Sequence, residues 1–174
     1  PARAVFEEVD DALDQKLSHL MWDGPIEDLT LTENAQPAIM AASLAVVRVL
    51  KDQFGVDVAD AGFVAGHSLG EYSALAAAGS LSIADAARLL KLRGKAMQKA
   101  VPVGEGAMAA LIGADMDTAE AAARAGAAFG ACQVANDNAP GQIVISGATA
   151  AVDAAIAKAQ EMGVKRAMTL PVSA

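Results

Sequence analysis

Ser68 lies in Gly66-His67-Ser68-Leu69-Gly70-Glu71, a G-x-S-x-G spacing that suits nucleophilic chemistry. An apolar run, Ala61-Gly62-Phe63-Val64-Ala65, precedes it and reads as a buried strand. The run Glu71 to Ala78 follows and reads as a helix that Gly79 is free to close. A serine on such a corner must take a strained backbone conformation. Glycines two residues to either side remove the Cβ atoms that would clash there. Its Oγ is then exposed at a helix N-terminus, where the N–H of Leu69 can stabilise an oxyanion. The motif is short, and a plain glycine-rich turn is the competing reading; the strand before and the helix after favour the nucleophile.

A serine nucleophile needs a base. The two histidines, His19 and His67, both precede Ser68, so the Ser…Asp…His order of ordinary α/β-hydrolases is not completed in these residues. Neighbours on a sharp turn point in different directions, so His67 is expected to pack beside the corner. His19 falls on an acidic helix and is expected at the surface. Arg93 lies on the next helix, which can return past the corner. An arginine so placed can grip a carboxylate through two parallel N–H···O bonds, which lysine cannot reproduce. On spacing alone a solvated helix-end arginine is the favoured reading.

The elements that must position these groups are mostly helical. Residues 3–20 read as an amphipathic acidic helix, broken at Asp23-Gly24-Pro25. Thr32 is placed to cap a long helix through Lys51 that ends at Phe54-Gly55. Ser82 and Asp85 form a capping-box-like start to a helix reaching about Lys99. After Val101-Pro102-Val103-Gly104 the character changes. Strands are expected at 106–112, 131–136, 142–146 and 164–170, with helices at about 115–127 and 149–162. That β-α-β-β-α-β order is the ferredoxin-like split unit. Asn136 to Gly141 is read as the loop between its middle strands.

Composition narrows the class. The chain has 174 residues, 54% of them hydrophobic but rich in alanine, and only 3% aromatic, which favours packed helices over an aromatic-rich sandwich. A net charge of −8 argues against nucleic acid as a partner. No apolar run is long enough to cross a membrane and no secretory leader is visible, so no membrane association is expected. A single Cys132 excludes a disulfide framework and a cysteine-based metal site, and the cytoplasm is the expected compartment. Arg88, Lys91, Arg93, Lys95 and Lys99 form a basic stretch. It reads either as cations at a helix C-terminus or as a surface for an anionic substrate or acidic partner.

Taken in order, Thr32-Glu33-Asn34-Ala35-Gln36-Pro37-Ala38, the Gly66 to Leu75 segment, Arg88 to Gln98, Asn136 to Gly147 and Leu170-Pro171-Val172-Ser173 resemble the malonyl-CoA:acyl carrier protein transacylases of fatty acid synthesis, in their discrete bacterial form. The resemblance implies an α/β fold: a hydrolase-like domain over residues 1–101, a ferredoxin-like small domain over 102–171, and a return to the large domain at 172–174. It implies that Ser68 is acylated by malonyl-CoA and that the Leu69 amide forms half of the oxyanion hole. Arg93 would pair with the free malonyl carboxylate, and the acyl group would pass to the phosphopantetheine thiol of acyl carrier protein. Asn136 and Asn138 would line the acyl pocket, against an equal reading as turn residues. No cofactor or metal is implied, and a monomer is expected. The family's catalytic histidine and second oxyanion donor have no counterpart in these residues, so an internal fragment with little turnover and poor stability is expected. A serine esterase, the acyltransferase domain of a polyketide synthase, and a non-catalytic assembly module are the alternatives.

Overall fold

Val5 and Val9 stand one helical turn apart, as do Ala86, Leu90 and Gly94, and all five are buried. Stripes at this spacing make helices stick to helices, and that is how the first part of the chain packs. A computed structural model describes residues 1–102 and 104–173. Val103, in the linker segment, and Ala174, the end of the 172–174 stretch, lie outside the described residues. The chain divides into two units, Pro1–Lys99 and Ala100–Ala174.

The first unit holds α1 (Ala2–Leu13), α2 (Leu17–Asp23), α3 (Ile26–Thr30), α4 (Thr32–Phe54), α5 (Gly70–Ala77) and most of α6 (Ile83–Ala100). Its core gathers Val5 and Val9 of α1, Leu17 of α2, Met40, Ala41 and Leu44 of α4, and Ala86 and Leu90 of α6. The single helix expected over 3–20 is two. Asp14 turns left-handed at φ 47° and closes α1. Asp10 then accepts bonds from Ser18 N (2.8 Å) and Ser18 Oγ (2.7 Å), which ties down the start of α2.

Thr32 is the first residue of α4 rather than its cap, and its Oγ1 accepts instead from Gln36 Nε2 at 2.8 Å. The helix does end at Gly55, in the left-handed conformation at φ 68°. Ser82 forms the expected box with Asp85, its Oγ accepting from Asp85 N at 2.9 Å and donating to Asp85 Oδ2 at 2.7 Å.

The strand expected at 61–65 does not form. Residues 61–66 are exposed, irregular backbone, with Phe63 97% exposed. Extended backbone becomes a strand only when a neighbour takes its N–H and C=O groups, and the first unit has no strand among its described residues.

The second unit is a four-stranded antiparallel sheet in the order β2-β3-β1-β4, built from β1 (Gly106–Ile112), β2 (Cys132–Ala139), β3 (Gln142–Ala148) and β4 (Arg166–Thr169). Helices α7 (Met116–Gly126) and α8 (Thr149–Glu161) connect the strands. Along β1, alternate residues Ala107, Ala109 and Leu111 are buried against the helices with Ile143 and Ile145 of β3. The stretch from Asn136, expected to be a loop, continues β2 to Ala139. Register shifts at Val134/Asn136 and Asp137/Ala139 admit these poor strand formers on an edge strand. The turn shrinks to Pro140-Gly141, with Gly141 at φ 76°.

Candidate active site

The corner at Ser68 is a strained one. Ser68 takes φ 55°, in the left-handed region that non-glycine residues seldom occupy. Two turn bonds hold it there: Gly70 N to His67 O at 2.9 Å and Glu71 N to Ser68 O at 3.2 Å. Gly66 is required by contact, since a Cβ on it would fall 2.5 Å from Glu71 N and closer still to the carbonyl of Gly70. Strain of this kind costs on the order of 1–3 kcal/mol and persists only where surroundings enforce it. The exposed Ser68 side chain is thereby presented at the start of α5, a helix with no side-chain N-cap. Leu69 is the residue before that helix, at the end from which its N–H groups point outward.

Arg93 reaches the corner from α6. Its Nη2 donates to Ser68 Oγ at 3.0 Å, and its Nη1 donates to Gln36 Oε1 of α4. Gln36 is 4% exposed and is held in turn, its Nε2 donating to Thr32 Oγ1 at 2.8 Å and lying 3.4 Å from Met97 Sδ. Residues from three elements thus meet: the Ser68 corner, α6 and α4. Gln36 has no role in the reading from sequence. The available signal was a polar side chain on the stripe of α4 that also carries buried Pro37, Met40 and Leu44.

The crossing that brings α6 to α4 is set at Gly94. A Cβ there would lie 2.7 Å from Glu33 N and 2.8 Å from Thr32 O, both backbone atoms. A polar cluster bolts the same crossing further along. Lys91 Nζ donates to Asn34 Oδ1 (2.6 Å) and Gln15 Oε1 (2.9 Å), and lies 3.8 Å from Glu33 Oε2. Asn34 Nδ2 donates to Asp28 O at 2.8 Å. Burial pushes the Lys91 ammonium below the usual lysine range; Glu33 pulls it back in part, and Lys95 adds to the lowering.

The remaining residues singled out from sequence fall elsewhere. His67 lines a cavity of about 520 Å³ beside the corner, with Ile39, Leu44, Val64, Gly66 and Ser73. His19 is on α2, exposed, 3.6 Å from Asp23. Asn136 and Asn138 are on β2 in the second unit, Asn136 half-buried and Asn138 exposed. Among the described residues no group of His, Cys, Asp and Glu side chains is arranged to hold a metal ion, and no helix is long and apolar enough to cross a membrane.

A strained corner whose exposed serine is met by an anchored guanidinium is suited to an acyl group that ends in a carboxylate. Comparison with known proteins bears on this. A family model described as acyl transferase domain matches residues 2–172. The chain is 48% identical over 173 residues to the malonyl CoA-acyl carrier protein transacylase of Bacillus subtilis, covering 99% of this chain and 53% of that protein. It superposes on the crystal structure of an acyl-carrier-protein-S-malonyltransferase from Bartonella henselae with a TM-score of 0.91 and 60% identity, covering 99% of this chain and 55% of that one. It also superposes, with a TM-score of 0.91 and 42% identity, on a malonyl-transacylase solved in complex with its type II PKS acyl-carrier protein; coverage is again 99% and 55%. The chain therefore spans about half the length of the relatives it matches.

Proposed function

The chain belongs to the acyl transferase domain family, and from that premise we propose that it serves the transfer of a malonyl group from malonyl-CoA to the phosphopantetheine thiol of acyl carrier protein, in fatty acid synthesis. The observation that carries this reading is the 3.0 Å approach of Arg93 to Ser68 Oγ, with the other arm of the guanidinium fixed on Gln36. Ser68 Oγ attacks the thioester carbonyl and its proton passes to a base. The Leu69 N–H stabilises the developing oxyanion, and the Nη2 arm of Arg93 holds the distal carboxylate by charge-assisted bonding while Nη1 stays on Gln36. Coenzyme A leaves as the thiol, and the malonyl ester on Ser68 is then attacked by the carrier thiol. An acetyl group would leave the arginine's charge unpaired, which disfavours it.

In this reading residues 1–101 contribute to a hydrolase-like α/β domain and 102–171 form a ferredoxin-like domain. The sheet order β2-β3-β1-β4 supports the second assignment. The protein acts in the cytoplasm as a monomer, without metal or cofactor. The carrier complex of one solved relative favours a second reading, in which the acceptor is a type II polyketide carrier protein rather than a fatty acid one.

The test is to incubate the protein with malonyl-CoA and each carrier protein in its phosphopantetheine form, and to weigh the carrier. A gain of about 86 Da, the mass of a malonyl group, supports the transfer. Release of free malonate with no gain on either carrier would make the protein a hydrolase instead.

A further inference from the structure

Arg93 is divided between two acceptors. Its Nη1 arm is on Gln36, which is buried and fixed by Thr32, whereas its Nη2 arm rests on the exposed Ser68 hydroxyl. The first arm is an anchor, and the second is free to exchange partners. A serine oxygen must aim a lone pair at the acyl carbon to attack it. Here one lone pair is taken by the Arg93 guanidinium. A neutral hydroxyl is a weaker acceptor for a guanidinium than a carboxylate, which carries full charge on two oxygens.

We propose that Arg93 caps Ser68 when no acyl donor is bound, and that the free carboxylate of the incoming acyl group is what lifts the cap. The acid end draws the Nη2 arm off Oγ while the other end delivers the thioester carbonyl to it. An acyl group of similar size that ends in a methyl meets a serine whose lone pair is still engaged by Arg93, so discrimination acts on the reactivity of the nucleophile as well as on binding. In the acylation step the Oγ–C bond forms, the C–S bond breaks and the hydroxyl proton leaves with the released thiol. Arg93 keeps its charge and only changes acceptor. The identity of the natural acyl group rests on the malonyl reading above; the cap does not.

The probe is diisopropyl fluorophosphate, which carries no charge. Ser68 Oγ displaces fluoride, forming an O–P bond, and the hydroxyl proton goes to buffer. Labelling is followed by intact mass for the wild type and for Arg93→Ala, with and without sodium formate. The cap predicts labelling of Arg93→Ala about tenfold faster than wild type, the factor expected when a charge-assisted bond to the nucleophile is removed. It also predicts that formate speeds the wild type and leaves Arg93→Ala unchanged. Labelling of Arg93→Ala at or below the wild-type rate overturns the cap. If that variant does not fold, the formate arm decides alone, and a wild-type rate unchanged or lowered by formate overturns it. Malonyl-CoA is tested on the same wild-type sample. Loss of malonyl loading with both formate and variant effects intact would reject the malonyl reading and leave the cap standing.

Discussion

Replacing Gly94 with alanine tests whether the α4–α6 crossing sets the site. The new Cβ would sit 2.7 Å from Glu33 N and 2.8 Å from Thr32 O, and nearer still to Glu33 Cα. That is roughly 0.7 Å or more inside ordinary van der Waals contact at about 3.5 Å. The obstructing atoms are backbone, so no side chain can rotate away and the helices must part by about 1 Å. Two energies oppose each other. Alanine gains about 1 kcal/mol over glycine in a helix interior, while overpacking of this kind costs about 1–3 kcal/mol. Overpacking wins, and a net loss of about 1 kcal/mol is expected in urea unfolding.

The effect on chemistry should be larger. Arg93 adjoins Gly94, and Gln36 lies three residues beyond Glu33, so parting the helices pulls the guanidinium off its anchor. A displacement near 1 Å can cost about 10²-fold in rate. Acylation of Ser68 by malonyl-CoA, followed by mass, should therefore fall by far more than the stability loss explains. A Gly94→Ala protein as stable and as readily acylated as wild type would refute the idea that this contact positions Arg93.

Three further outcomes follow from the same geometry. Gln36→Leu removes the anchor acceptor of Arg93; malonyl loading should drop by about tenfold while labelling by an uncharged reagent does not, and an equal drop in both would assign Gln36 a merely structural role. Ser73 Oγ is buried without a hydrogen-bond partner, so Ser73→Ala should be neutral or stabilising by up to about 1 kcal/mol; a clear loss of stability in urea would show a partner the geometry lacks. Lys91 is held below its ordinary value of 10.5, so the unfolded chain binds more protons there, and wild-type stability should rise with pH through the folded value and level off near 10.5. Lys91→Met cannot titrate and should lack that rise; a constant difference between the two proteins across alkaline pH would contradict it.

Where the information is local, the sequence is readable. The Ser82–Asp85 box, the glycines that close α4 and α5, and the bounds of β1 depend on residues within a turn of one another, and each lies where its signal stands. The corner at Ser68 is legible for the same reason, because Gly66 and the strained serine belong to one short segment; the matching expectation for Gly70 fails, since a Cβ there would meet nothing within 4 Å. What depends on distant partners is not. Residues 61–65 have a strand's composition without a strand's neighbour. Asp14 and Asp10 split a helix whose apolar periodicity runs through the break, since a left-handed residue and a distant cap leave no trace in that period. Gln36 meets Arg93 across 57 positions, and nothing in either local pattern records the pairing. The edge strand β2 passes Asn136 and Asn138 because bulges absorb the residues that composition assigns to a turn.

The most direct measurement is the site of acylation. Wild type and Ser68→Ala are incubated with malonyl-CoA, digested and mapped by mass spectrometry. The account predicts a gain of about 86 Da on the peptide containing Ser68 and none in Ser68→Ala. An adduct that persists in Ser68→Ala, or a wild type that is labelled at Ser68 by diisopropyl fluorophosphate yet never by malonyl-CoA, would contradict it.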